Sequence, residues 1–470
     1  MARRTILSGR DRYDGHGLAQ GAAVRLRPHH RRSRLSMAGL DLWGGAECTV
    51  NRVGDRTYDQ LKLTGHENRL DDLDRFAALG LRALRVAVLW EKVETAPGIL
   101  DWRWPDAVML RLRALDVRPI VGLIHHGSGP TWTDLTQPSF AEGLAAHAAR
   151  VAERYPWVTD WTPVNEPLTT ARFSCLYGLW HPGLRDEAAF WNALLTQIEA
   201  TGLAMRAIRR VVPQARLIQT EDFGRTDATP PCAAQAAFDN DRRLMTWDLL
   251  CGRVGPGHPL YARLAAFGLT SRLLALAGAP APPDVIGLNY YVTSDRFLDH
   301  RIDLYPPHLR GGNGRMAYAD TESVRALPDW TPGWRRNLET LHARYGLPVA
   351  VTECHLGCDP EQQAVWLNQC WRAALAAREA GVLVEAVTVW SLLGAVGWDR
   401  LLTEDDGRYE AGVFDAAAPG VPETPLGTAV RRLASGGPPA ADLQPGWWDR
   451  PDRLALPSTA PLCIPQPLVA

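Results

Sequence analysis

The stretch Trp161-Thr162-Pro163-Val164-Asn165-Glu166-Pro167 is an apolar run that closes on two polar side chains and a proline. The apolar part reads as a buried strand. Pro167 ends the ladder because it has no N–H to offer. A second stretch repeats the design: Pro348-Val349-Ala350-Val351-Thr352 is a β-branched buried run, and it delivers Glu353. A carboxylate at the end of such a run is costly to bury unless it is paired or used.

Working outward, short apolar runs at 39–45, 83–89, 117–124, 158–164, 216–221, 284–291, 348–353 and 385–392 read as eight strands, with helical patterns between them. In 66–80, Leu70, Leu73 and Phe76 form a stripe that stops at Gly80. Residues 139–155 open on Ser139, a good N-cap. Residues 361–380 make a long amphipathic helix ending before Gly381. Eight strand-then-helix units predict an α/β fold, a (β/α)₈ TIM barrel with long βα loops. A doubly wound open sheet is the alternative, but Leu42-Trp43-Gly44-Gly45-Ala46-Glu47 lacks the form of a phosphate-binding glycine turn.

In such a barrel chemistry sits at the carboxyl ends of the strands. The polar residues there are Glu47 and Asn51 after the first run, Arg85 on the second, and His125 and His126 after the third. Asn165 and Glu166 follow the fourth, Glu221 and Asp222 the fifth, and Asn289 and Tyr291 the sixth. Glu353 follows the seventh, and Trp390, Trp398 and Asp399 come with the eighth. Nearly every run ends in a group that can bond a sugar hydroxyl. Two carboxylates facing one cleft are the minimum equipment for cleaving a glycosidic bond, about 5 Å apart when the product retains its anomeric configuration. Arg85 is the natural partner of Glu353 and would keep it ionised and nucleophilic. The amide of Asn165 suits a sugar 2-hydroxyl.

The chain has 470 residues, 46% hydrophobic and 22% charged, with a net charge of −1. That balance gives no general attraction to nucleic acid or to an anionic membrane. The 18 Trp serve core filling and, in part, carbohydrate stacking. The eight cysteines are scattered without a disulfide or zinc-site spacing, which predicts reduced thiols and a cytoplasmic protein. Residues 1–36, with Arg27-Pro28-His29-His30-Arg31-Arg32-Ser33-Arg34, read as a disordered or misassigned basic extension. Residues 37–437 form the expected barrel domain, and 438–470 a Pro-rich irregular tail that drapes over it.

With these residues in view, the sequence resembles glycoside hydrolase family 1, the retaining β-glucosidases and β-galactosidases, from about Leu40 to Leu433. The family's Trp-x-Thr-Phe-Asn-Glu-Pro is similar to 161–167, with Pro163 and Val164 substituted. Thr352-Glu353 matches its Thr-Glu-Asn-Gly, followed here by Cys354 and His355. Gly287-Leu288-Asn289-Tyr290-Tyr291, Leu84-Arg85-Val86, Leu123-Ile124-His125, Tyr177 to Gly183 and Trp390-Ser391-Leu392-Leu393 carry the rest. The resemblance implies Glu166 as acid/base and Glu353 as nucleophile. It implies Arg85, Asn165 and Tyr291 as their supports. Asn51, His125, His126, Asn289, Trp390, Trp398 and Asp399 would bind substrate. No metal or organic cofactor is required, and the partner is a small-molecule glycoside.

The departures are specific. The family's acid for the 4- and 6-hydroxyls is Gly397 here, its first-strand Gln is Asn51, and the Trp after its third-strand His is His126. These changes predict a rebuilt glycone pocket, suited to a sugar with fewer or altered hydroxyls such as a deoxysugar. Glu47, Glu221, Asp222 and Asp399 are candidates for replacement contacts. Modules fused to deoxysugar-nucleotide reductases have the same style, though no reductase domain follows here. A transglycosidase, a catalytically silent sugar-binding barrel and an endo-acting glycanase of a related family stay open as alternatives.

Overall fold

Eight parallel strands close into a barrel: β1 Asp41–Gly45, β2 Ala83–Ala87, β3 Arg118–His125, β4 Asp160–Asn165, β5 Arg216–Asp222, β6 Val285–Tyr290, β7 Val349–Cys354 and β8 Val384–Val389. Each strand pairs in parallel with its sequence neighbour, and β8 returns to β1. All eight expected runs carry a strand. The computed structural model describes residues 39–404, 406–441 and 443–456, and from Leu40 onward these form one compact unit. The basic extension of 1–36 and the last part of the tail lie outside the described residues.

The strands form because their residues are β-branched and buried on both faces. β7, Val-Ala-Val-Thr-Glu-Cys, is buried at every position. Inside the barrel, Trp43 meets Ala83, Ile120, Ile218, Val285, Ala350 and Ala386. Small alanines from three strands make room for one indole, so the barrel is filled. The larger core lies between the strands and the surrounding helices.

The principal helices are α1 Asp72–Ala78, α2 Arg103–Ala114, α3 Ser139–Arg154, α4 Glu187–Val211, α5 Met245–Leu250, α6 Trp334–Tyr345, α7 Pro360–Glu379 and α8 Pro425–Ala434. In α7 the side chain of Asp359 accepts from the Gln362 N–H, Pro360 opens the helix, and Gly381 turns the chain away at φ +93°. Two local expectations need correction. Ser139 is the first residue of α3 and not its cap; Pro138 holds the cap position without a side-chain bond. The helix expected at 66–80 is broken into a 3₁₀ turn, His66–Asn68, and α1. The buried carboxylate of Asp72 joins the two pieces, with His66 at 2.9 Å, Arg69 at 3.3 Å and Arg75 at 2.8 Å.

Outside the barrel, strands Thr226–Ala228, Arg296–Asp299, Arg310–Gly312 and Ala317–Glu322 form a small sheet that joins the loops after β5 and β6. Near the C-terminus, Trp448 packs fully buried against Trp366 of α7, and Arg453 donates to the carbonyls of Val324, Leu327 and Pro328. Among the described residues no helix is long and apolar enough to cross a membrane.

Candidate active site

The carboxyl end of β4 is shaped by its proline. β4 pairs with β5 only at Asp160 and Trp161, and the ladder stops before Pro163, which cannot donate. Side chains take over from there. Thr162 Oγ1 donates to the Ile218 carbonyl at 2.9 Å, and Gln219 Nε2 to the Val164 carbonyl at 2.9 Å. On its other side β4 stays in register with β3, which sets Asn165 directly beside His125. Glu166 follows in the left-handed region, at φ +46° and ψ +62°, and Pro167 starts a short helix, Pro167–Ala171. A non-glycine residue held there is strained, and such strain collects at functional sites. His126 shares the feature, at φ +56°.

Glu221 anchors this turn. Its carboxylate accepts from the N–H groups of Leu168 (2.8 Å) and Thr169 (3.2 Å), and from the hydroxyls of Thr169 (2.9 Å) and Thr246 (2.7 Å). It is fully buried and its acceptors are spent. The expectation of a sugar contact from Glu221 is therefore corrected: it fastens the backbone after Glu166. Asp222 accepts from Ser294 Oγ and lies 3.7 Å from Arg243.

Glu353 is aimed differently. The register of β7 against β8 slips between Val351 and Cys354, and β6 against β7 slips between Leu288 and Asn289. Such irregularities re-aim a side chain beside a site. Arg85 Nη1 donates to Glu353 Oε1 at 2.7 Å and to the Thr352 carbonyl at 2.9 Å, while its Nη2 donates to Asn165 Oδ1 at 2.7 Å. The Tyr291 hydroxyl donates to Glu353 Oε2. Burial, and then the charge of Glu353, hold the Tyr291 phenol well above its ordinary value, so it keeps its proton. Asn289 links Glu166 to Thr352, the neighbour of Glu353 on β7. Its Nδ2 donates to Glu166 Oε1 at 2.5 Å, and its Oδ1 accepts from the Thr352 hydroxyl at 2.7 Å. Asn289, expected as a sugar contact, spends one N–H and one oxygen lone pair of its amide on these bonds.

Glu166 is 4% exposed and Glu353 1%. Burial raises the pKa of Glu166 well above the carboxylate range, and the charges of Glu353, Glu221 and Asp222 push the same way. Burial lowers His125 well below its ordinary value and His126 to about 3, leaving both rings neutral at physiological pH. Asn165 Nδ2 reaches His125 Nε2 at 3.2 Å and His126 Nε2 at 3.4 Å, while Thr220 Oγ1 and Arg85 fill its Oδ1.

Aromatic rings wall this space. His125 lies flat on Trp390 at 5.6 Å, Arg85 sits 4.6 Å over the same indole, and His126 packs against Trp180 and Trp398 at 5.3 and 5.5 Å. Gly45 permits this arrangement: a Cβ there would stand 2.5 Å from the Trp390 ring. Among the described residues, the buried donors Asn51 Nδ2 and Trp398 Nε1 have no protein acceptor. Asn51 lies on the hairpin after β1, next to Val50, whose carbonyl packs on Gly127 just beyond the histidines.

Asp399 is the expected site residue that falls elsewhere. It is exposed and pairs with Arg408 at 2.7 Å and Arg400 at 3.8 Å, because the turn at Gly397 (φ +72°) carries it outward. A contact that sequence reasoning missed is the pair His355–Glu410, at 3.0 Å, with His355 Nδ1 also 3.0 Å from the Trp390 carbonyl. Burial alone would lower His355, but the charge and bond of Glu410 offset it and raise its pKa. The residue standing where the family motif has Asn-Gly was the one signal for it; nothing local pointed to Glu410.

No family model matches the chain. It is 23% identical over 341 residues to a phospho-cellobiase of Klebsiella oxytoca, covering 67% of this chain and 71% of that protein. It is 22% identical over 356 residues to an aryl-phospho-β-D-glucosidase of Bacillus subtilis, covering 68% and 73%. The solved family 1 β-glucosidase of Thermotoga maritima superposes with a TM-score of 0.69 at 17% identity, covering 84% of this chain and 97% of that one.

Proposed function

We infer that this chain, of glycoside hydrolase family 1 type in sequence and in fold, is a retaining β-glycosidase of the β-glucosidase class, with Glu353 as nucleophile and Glu166 as acid/base. One observation carries the assignment of roles: both oxygens of Glu353 are held, by Arg85 and by Tyr291, while Asn289 reaches from the strand between to Glu166. A structural ion pair needs no second, protonated acid bridged to the strand that bears the first.

In the first step a Glu353 oxygen attacks the anomeric carbon. The bond to the leaving oxygen breaks, and that oxygen takes the proton of Glu166. The product is a glycosyl ester of Glu353. Its formation removes the negative charge that helps hold Glu166 protonated, so Glu166 becomes the stronger acid and its conjugate base is available. In the second step Glu166 takes a proton from water, the water oxygen bonds the anomeric carbon, and the ester bond breaks. The sugar leaves with its configuration retained.

The phospho-cellobiase and the aryl-phospho-β-D-glucosidase are named for phosphorylated β-glucosides, and that belongs to them. In this chain Gly397 stands where the family has an acid, and His126 packs against Trp398 at 5.5 Å. The unpartnered donors of Asn51 and Trp398 suit the oxygens of a sugar.

The test is trapping with activated 2-fluoro-glycosides and location of the added mass. Label on Glu353, absent from Glu353→Gln, is expected. Label on another residue, or on the variant, would remove the assigned nucleophile.

A further inference from the structure

Glu47 is a third acid on these walls, and the double displacement has no use for it. It follows β1 and is 4% exposed. One of its oxygens is spent: Oε1 accepts from the N–H groups of Cys48 and Thr49, each at 2.9 Å. The Glu47 N–H donates to Ser391 Oγ at 3.0 Å, so the residue is fixed at both backbone and side chain. The other oxygen is underused. Oε2 has Trp390 Nε1 at 3.3 Å, the long end of the range for such a bond. His125 Nε2 stands 3.8 Å from the carboxylate. Glu47 thus presents acceptor capacity at the edge of the indole and the imidazole that form one wall of the site. An acid this deeply buried, with a lone pair to spare, is expensive unless something donates to it.

The charges around it narrow what that donor can be. The cation of the site, Arg85, is already committed to Glu353 and Asn165. His125 and His126 are neutral. His355 is committed to Glu410. Arg52 spends its guanidinium on the carbonyls of Thr131 and Thr133, and Arg408 on Asp399. Among the described residues, Glu47, Glu166 and Glu353 thus have one cation in an ion pair with them, Arg85 on Glu353. A phosphate brought here would find Arg85 already bonded to Glu353 and Asn165, whereas a hydroxyl or an ammonium would meet an acceptor.

We propose that Glu47 is a specificity-determining residue that accepts a hydrogen bond from a hydroxyl or ammonium of the glycone, and that the site takes unphosphorylated sugars and rejects phosphorylated ones. This rests on the glycosidase reading above. Burial, with the charge of Glu353 adding to it, raises Glu47 to about 7. The group is therefore poised to ionise against an ammonium or to bond a hydroxyl.

The experiment uses the full chain and its variants Glu47→Gln and Glu47→Ala. Glutamine keeps an amide oxygen for the Cys48 and Thr49 N–H groups, so that variant guards against loss of the fold. The substrates are activated aryl β-glycosides in which each glycone hydroxyl in turn is removed, replaced by an amino group or phosphorylated. At one position, removal is expected to cost the wild type about 10- to 100-fold in kcat/KM and to cost Glu47→Ala almost nothing. An amino group at that position should favour the wild type over Glu47→Gln. Phosphorylated glycosides should be the poorest wild-type substrates. A uniform loss across the panel in both variants would make Glu47 structural and overturn the proposal, as would a wild-type preference for a phosphorylated sugar. Trapping on Glu353, run in parallel, separates the two readings. Label with a flat profile sinks only the role of Glu47, and absence of label on the wild type sinks the glycosidase reading together with it.

Discussion

The amino and carboxyl ends of this barrel treat buried charge in opposite ways. At the amino end, Asp160 of β4 is nearly inaccessible and is gripped by Arg118 of β3 and by Arg216 of β5, the latter at 2.8 Å. Arg216 continues to Glu385 of β8 at 3.1 Å, and Arg118 lies over Trp43 at 5.4 Å. Two cations answer two acids, and the network ties four strands together. At the carboxyl end, Arg85 faces Glu353, while among the described residues Glu47 and Glu166 have no arginine or lysine paired with them. Hydrogen bonds and protons make up the difference there. The comparison teaches that balanced pairs in this fold mark structure, and an excess of acids over cations marks chemistry.

The comparison can be broken most decisively at Glu353. Its replacement by Gln should lower kcat by about 10⁴-fold or more while leaving Tm within a few degrees, measured on an activated aryl glycoside and by calorimetry. A variant that unfolds yet turns over normally when stabilised would invert the contrast. Glu166→Ala comes next. Poor leaving groups should slow by about 10²- to 10⁴-fold and activated aryl leaving groups far less. The pH profile sharpens this. The folded-state pKa of Glu166 is raised, so the proton needed for the first step is present below that value and lost as pH rises through it. The alkaline limb of kcat/KM should therefore disappear in Glu166→Ala, and a limb that persists would assign it to another group.

The opposite signature is expected at the amino end. Asp160→Ala strips two arginines of their shared partner. The arginines are about a third exposed, so the cost should be roughly 2 kcal/mol in denaturant unfolding, with kcat/KM of the folded fraction unchanged. Loss of turnover without loss of stability would show that the two ends are not separable. A smaller effect concerns Glu47 and pH. Its pKa is raised to about 7, so the fold binds a proton that the unfolded chain has released between about 4.5 and 7. The resulting stability is full below that window and is lost as pH rises through it. Glu47→Gln should flatten this part of the stability profile, followed by Tm against pH. The smallest effect is expected at Asp399, whose exposed pairs with Arg408 and Arg400 contribute little. Asp399→Ala should leave both Tm and kcat/KM unchanged within error.

The strands, their order and the two glutamates at strand ends were legible in the chain. Each is a local pattern: a buried β-branched run, a proline stop, a polar closure. Arg85 was legible as the partner of Glu353 because the barrel brings strand ends to one face whatever the loops do. The roles of Asn289, Glu221 and Asp399 were not, since a polar residue near a strand end has the same letter whether it links an acid to the next strand, fastens a backbone turn or swings out to solvent. Nor was the His355–Glu410 pair legible, because its members are 55 positions apart and meet only through a two-stranded hairpin after β8.

By itself, then, the sequence determined an eight-stranded barrel and the identity of the acids at its rim, because strand periodicity and proline placement act over a few residues. Which of those acids is spent on backbone, which is matched by a cation and which keeps an oxygen for a ligand was decided by tertiary structure alone. Burial and charge are sums over neighbours drawn from the whole chain, and no local pattern contains that sum.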